Sequence, residues 1–175
     1  MKKGRQLGRA IAPNTSGASK KPPQVRIMVI FISASIKEIK AKGSDFPWPR
    51  PEVCPICKSP GLWGHGFVGA YFDCADGQVL LRRYRCPFCK SVHRVRPAGY
   101  FRRFQASIAR IRFLLAYYLI CHRPPSNVCR VRLSHWLKGL RRKVWAFFGD
   151  AFHQSLLHGF SRLVAMGITP VSRII

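Results

Sequence analysis

Acidic side chains are nearly missing from this chain. Only 6 Asp and Glu stand against 31 Lys and Arg in 175 residues, a formal net charge of +25. Between Gly77 and Gly149 there is no Asp or Glu, while 17 Lys and Arg fall in that interval. The acids, Glu38, Asp45, Glu52, Asp73, Asp76 and Asp150, sit mostly in segments predicted as loops. Paired-carboxylate catalysis and two-metal carboxylate sites therefore lack material. No Gly-rich phosphate loop replaces them, and no Cys–His pair lies outside the cysteine pairs described below, so an enzyme is not expected. Long apolar runs are missing too. A spanning helix needs about 20 apolar residues, and the closest stretch, "IARIRFLLAYYLIC", contains Arg110 and Arg112. The run "IMVIFISASI" matches the apolar part of a secretory signal in length, but it follows a 26-residue leader and runs straight into "KEIKAKG". No membrane partner is expected, and the expected setting is the cytoplasm.

What is abundant is positive charge. A folded region with such a field repels itself unless a polyanion compensates it. Nucleic acid is the usual polyanion, bound through phosphates with release of counterions. A basic surface without a specific partner is the plainer alternative, although solubility alone needs far less charge.

The chain divides by composition. Residues 1–27 are low in bulky side chains and rich in Gly, Ser, Pro and Lys, which predicts a disordered basic leader; translation from Met1 or from Met28 is compatible with it. Residues 28–53 hold a short β-branched strand, a polar stretch and the Pro-rich linker "SDFPWPRPEVCP". Residues 54–100 carry two CPxC pairs. Residues 101–149 turn to helical periodicity, and 150–175 form a mildly apolar tail to which one short helix and no function are assigned.

There are 7 cysteines: Cys54, Cys57, Cys74, Cys86, Cys89, Cys121 and Cys129. The odd number and the expected cytoplasmic setting argue against a disulfide framework. A single CxxC fits a redox centre only in a βαβ context. Two pairs fit a different chemistry: each grips one metal from a tight turn, and four thiolates complete a tetrahedron around zinc. Cys54, Cys57, Cys86 and Cys89 are the predicted ligands of a structural Zn2+, because four thiolates leave no open position for catalysis. The 28 residues between the pairs read as a hairpin, "LWGHGFVGAYF" and "QVLLRRYR" around the turn "DCADG". "SVHRVR" adds a third strand, which makes a three-stranded antiparallel zinc ribbon. So small a unit buries too little apolar surface to be stable alone, and the metal supplies folding free energy. His65 and His93 lie on predicted strands, His93 as an outer partner of the ligands or a phosphate contact. Cys74 reads as a small turn residue, and Cys121 and Cys129 as half-buried apolar residues.

Beyond the ribbon, Phe104, Ile108, Ile111, Leu115 and Tyr118 recur at helical spacing, as do Leu133, Leu137, Leu140, Val144 and Phe147. Pro124 and Pro125 separate the two stripes, Ser126 or Asn127 can cap the second helix, and Gly149 can end it. Gly139 inside it is a cost. Lys138, Arg141, Arg142 and Lys143 make a basic face. A helix-turn-helix and a small basic bundle both satisfy these periods. The expected class is thus small mixed α+β: a four-cysteine zinc ribbon followed by a basic helical segment.

The pattern "CPICKSPGLWGHGFV" followed by "RRYRCPFCKSVHRVRPAGYFRRFQAS" resembles the zinc-ribbon segment of short uncharacterised bacterial proteins related to transposase-type zinc ribbons. The likeness spans about residues 28 to 122 and rests on Cys54, Cys57, Trp63, His65, Gly66, Arg83, Arg85, Cys86 and Cys89. It implies association with mobile elements and DNA binding, is compatible with a protein partner from a transposition system, and does not establish catalysis. Arg82, Arg83, Arg85, Arg94, Arg96, Arg102 and Arg103 would contact phosphates, with Lys138, Arg141 and Arg142 on the helical segment. An RNA- or ribosome-binding ribbon, stacking bases on Phe88, Tyr100 and Phe101, and a structural or protein-interaction zinc module are the other classes.

Overall fold

The structure, a computed structural model, describes residues 28–150 and 152–172. The expectations for the basic leader 1–27 and for the last three residues of the tail lie outside the described residues.

The first unit is a four-stranded sheet. It comprises β1 (Met28–Ile32), β2 (Trp63–Tyr71), β3 (Gln78–Arg85) and β4 (Val92–Pro97), in the order β1-β4-β3-β2. The hairpin β2–β3 closes where "DCADG" predicts, and Gly77 supplies the positive φ of 78° that the turn requires. β4 pairs antiparallel to β3, as expected for a ribbon. The expectation of a three-stranded antiparallel sheet is corrected at the other edge. There β1 adds as a fourth strand, parallel to β4, with Val29 opposite Arg94 and Phe31 opposite Arg96. A parallel pair needs a long crossover, and everything from Ser33 to Ser91 supplies it.

Residues 28–53 are also more than a strand and a linker. Ile36–Lys42 forms α1, closed by a capping box in which Ser35 Oγ accepts from the Glu38 amide and the Glu38 carboxylate accepts from the Ser35 amide. Its Ile36 and Ile39 are buried in the sheet's core with Leu62, Phe72, Val79, Leu81 and Val95. β2 is bulged between Gly64 and Phe67, with Gly66 at φ 68°.

The second unit is helical: α2 (Ile108–Cys121), α3 (Arg130–Phe148) and α4 (Leu156–Ala165). Ser107 caps α2 by accepting from the Arg110 amide at 3.1 Å. Cys129, not Ser126 or Asn127, occupies the N-cap of α3, and it makes no side-chain cap bond. The buried stripe of α3 is Leu133, Trp136, Leu137, Leu140 and Val144, while Phe147 is exposed. The short helix expected in the tail is α4, and its Phe160 and Leu163 complete the core between α2 and α3. Residues 122–129 connect α2 to α3, a longer link than the three- or four-residue turn of a helix-turn-helix. No helix among the described residues is long and apolar enough to cross a membrane.

The units meet at the segment 98–107. Tyr100 and Ser107 form a bridge, the Ile108 amide donates to the Gly99 carbonyl at 2.8 Å, and the Asp73 amide donates to the Gln105 carbonyl at 3.2 Å. Tyr100 belongs to the sheet's core and Phe101 to the helical one.

Candidate metal centre and basic surfaces

The two cysteine pairs share a longer sequence than CPxC: "CPICKS" and "CPFCKS" repeat it with one change. They also share a fold. The Cys54 amide donates to the Ser59 carbonyl at 2.8 Å, and the Cys86 amide to the Ser91 carbonyl at 3.0 Å. Lys58 and Lys90 each take a left-handed backbone, with φ of 61° and 58°. This closes each turn so that both sulfurs of a pair point to one side.

The four sulfurs converge. All lie within 4.8 Å of one another, with Cys54 to Cys89 at 3.7 Å and Cys57 to Cys86 at 3.5 Å. Cys54 and Cys86 are buried, while Cys57 and Cys89 lie nearer the surface. This set can hold one metal ion. Cys74, Cys121 and Cys129 stand apart from it. Cys74 instead approaches the Tyr100 hydroxyl at 3.0 Å, and Cys121 and Cys129 are exposed rather than half-buried.

The surroundings prepare the sulfurs unequally. The Ser59 hydroxyl, 3.4 Å from Cys57 Sγ, and the Ser59 amide stabilise its thiolate and hold its pKa down to about 6. Ser91 does the same for Cys89, whose sulfur lies 2.8 Å from the Ser91 hydroxyl and whose pKa is lowered. Burial pushes the Cys86 thiol up to about 11. A cation between them overrides that burial penalty, since metal binding releases the thiol protons.

His93 is fully buried behind the cluster. Its Nε2 lies 3.3 Å from Cys54 Sγ and 3.1 Å from Ser91 Oγ. Burial holds the imidazole below its usual pKa, so the ring is neutral. Its Nδ1 is buried without a partner. The tautomer carrying the proton on Nε2 satisfies this, because it donates toward the sulfur and leaves only a lone pair unmatched. Of the two readings for His93, the outer-partner position is the one it occupies. The repeated serine after each "CPxCK" was the available signal for the hydroxyl contacts.

The basic residues separate into distinct places. Arg94, Arg96, Arg102 and Arg103 line one cleft together with Val29. Arg82 lies in another recess with Trp48, Arg50, Phe67 and Tyr84, its guanidinium 4.8 Å from the Phe67 ring centroid. Gly64 makes that possible, since a Cβ there would meet the Arg82 guanidinium at 2.3 Å. Arg83 is half-buried and stands opposite Arg94 in register, and Arg85 is exposed opposite Val92. Lys138 and Arg141 line a recess between α2 and α3, and Arg142 donates to the Ser172 hydroxyl at 3.2 Å. One assignment needs correction: Arg96 is only 5% exposed and is not an open phosphate contact. Its guanidinium donates to the Phe104 carbonyl and lies 5.0 Å from the Phe72 ring centroid and 5.9 Å from that of Tyr100. Burial lowers its pKa to about 10, which still leaves it cationic at neutral pH.

Fold and site together define a small mixed α/β protein with a four-cysteine cluster that can hold a metal ion. No protein-family model matches the chain. No curated protein and no solved structure matches it either.

Proposed function

We propose that the chain is a zinc-binding, non-catalytic DNA-binding protein that serves a transposition system as an accessory or regulator. The observation that carries the zinc reading is the spacing of the sulfurs. A tetrahedron with zinc–sulfur bonds of about 2.3 Å has edges of about 3.8 Å; Cys54 to Cys89 is 3.7 Å and Cys57 to Cys86 is 3.5 Å, with all four sulfurs within 4.8 Å. Four thiolates close the shell, which suits a structural ion.

The net charge of +25 supports a polyanionic partner. Duplex DNA is preferred to unpaired RNA on the resemblance of the cysteine and arginine pattern. Of the three rings the sequence offered for stacking bases, Tyr100 and Phe101 are buried and Phe88 is exposed, and Trp63 and Tyr71 of β2 are exposed as well. On this reading binding rests first on phosphates. The connection to transposition rests on the resemblance of the cysteine and arginine pattern alone.

The test is a salt titration of duplex binding by the metal-replete chain, followed by fluorescence anisotropy. Affinity should fall roughly a thousandfold between about 50 and about 200 mM salt, as for about six neutralised phosphates. A flat response overturns the DNA reading. Metal analysis should return about one zinc per chain.

A further inference from the structure

The cleft lined by Val29, Arg94, Arg96, Arg102 and Arg103 has a volume of about 250 Å³. No carboxylate lines it. Arg94 and Arg96 reach it from β4 and Arg102 and Arg103 from the segment that follows, and the register places Val29, Arg94 and Arg83 in one row across β1, β4 and β3. Like charges directly opposite on neighbouring strands destabilise a sheet, and Arg83 faces Arg94 in this way. Arg96, two residues along β4, falls on the same side as Arg94.

Arg96 makes the cleft rigid. Its bond to the Phe104 carbonyl ties the segment 98–107 back onto β4, and Arg102 and Arg103 lie within the tied loop. Arg103 is held at φ 67°, a left-handed backbone that a residue with a Cβ seldom adopts. Strain of this kind persists where the surroundings over-determine it and collects at ligand clamps. The partners of Arg96 are one carbonyl and two ring faces, and its Nε is buried without a partner. None of these supplies a negative charge.

We propose that this cleft binds a phosphomonoester, the terminal phosphate of a nucleic-acid strand. The inference rests on the nucleic-acid reading above and names the group this part of the surface recognises. Guanidinium forks match phosphate oxygens in pairs. Several converging cations suit a charge of about −2, which a monoester carries near neutral pH, better than the single charge of a backbone diester. The volume lies below the range of about 300–1,000 Å³ usual for whole small molecules and suits a single group.

The experiment uses the full metal-replete chain and short duplexes of one sequence with an internal fluorophore. Their ends carry 5′-hydroxyl, 5′-phosphate or 3′-phosphate groups, and anisotropy is read at fixed salt. One phosphorylated end should bind on the order of tenfold tighter than the hydroxyl end. Arg103→Gln, at an exposed position, and Arg94→Gln should bring that ratio to one, while Lys138→Gln weakens all duplexes and keeps the ratio. Circular dichroism and metal content confirm that each variant is folded. Equal affinity for all ends overturns the inference and leaves the nucleic-acid reading standing. Absence of binding to every duplex overturns that reading itself. Inorganic phosphate that raises the melting temperature without any end preference assigns the cleft to free phosphate and also overturns the inference.

Discussion

The sheet and the helical cluster bury similar sets of apolar side chains, yet they are held by different forces. In the sheet, two of the buried core residues are the cysteines Cys54 and Cys86, and the core leans on a helix of only seven residues. The helical cluster needs no cysteine. It is built from Phe101, Phe104, Ile111, Leu115, Trp136, Leu140, Phe160 and their neighbours, from three helices interlocked through a large apolar stripe. The contrast teaches that one small chain can rest one part on a cysteine cluster able to hold a metal ion and another on packing alone. Arg96 stands between them, anchored among sheet rings and bonded to the loop that leads into the helices.

The largest effect should come from removing the metal. Structural zinc sites of this kind are worth about 10–16 kcal/mol in apparent binding free energy. Chelation, or Cys54→Ser, should erase amide hydrogen-exchange protection in β2, β3 and β4 while α2, α3 and α4 keep theirs. Simultaneous loss in both units would break the comparison. Next comes the helical core. Phe160 is 1% exposed, and Phe160→Ala should cost about 3–5 kcal/mol in denaturant unfolding of the helices. The zinc content of the variant should stay unchanged.

Substitution of the connector should be milder. Arg96→Lys loses the fork that reaches the Phe104 carbonyl and should cost about 1–3 kcal/mol. Exchange should rise first in residues 98–107, with the metal retained. The smallest effect is expected at Gly139, where a Cβ would come within 2.8 Å of the Ser172 amide nitrogen. Gly139→Ala gains helix propensity of about 1 kcal/mol but overpacks at a cost of about 1–3 kcal/mol. The net should be a loss of about 1 kcal/mol in thermal unfolding, and a stabilised variant would show that the C-terminal segment yields freely.

Much of this contrast was legible before the fold. The cysteine pairs, the "DCADG" turn and the strand "QVLLRRYR" are local features, and local geometry reproduces them in the structure. Short elements were harder. α1 carries a readable signal, Ser35 three residues before Glu38, but its few residues show too little periodicity to outweigh their polarity. In α3 the buried side takes in Trp136, and in the last turn it passes to Phe148, which packs against the core under Arg162 of α4, so Phe147 faces out. The glycine that looked like a cost in α3 is where Ser172 approaches the helix.

The sequence by itself determined the chemistry of the two knuckles. Each is closed by bonds spanning only a few residues, and "CPxCKS" carries every group those bonds use. Only the tertiary structure decided that the sheet gains a parallel edge strand, that His93 faces a sulfur, and that one arginine of seven is buried while its neighbours border a cleft. Those outcomes depend on which distant backbone and ring surfaces meet. A charged side chain reads the same in sequence whether water or a buried carbonyl finally surrounds it.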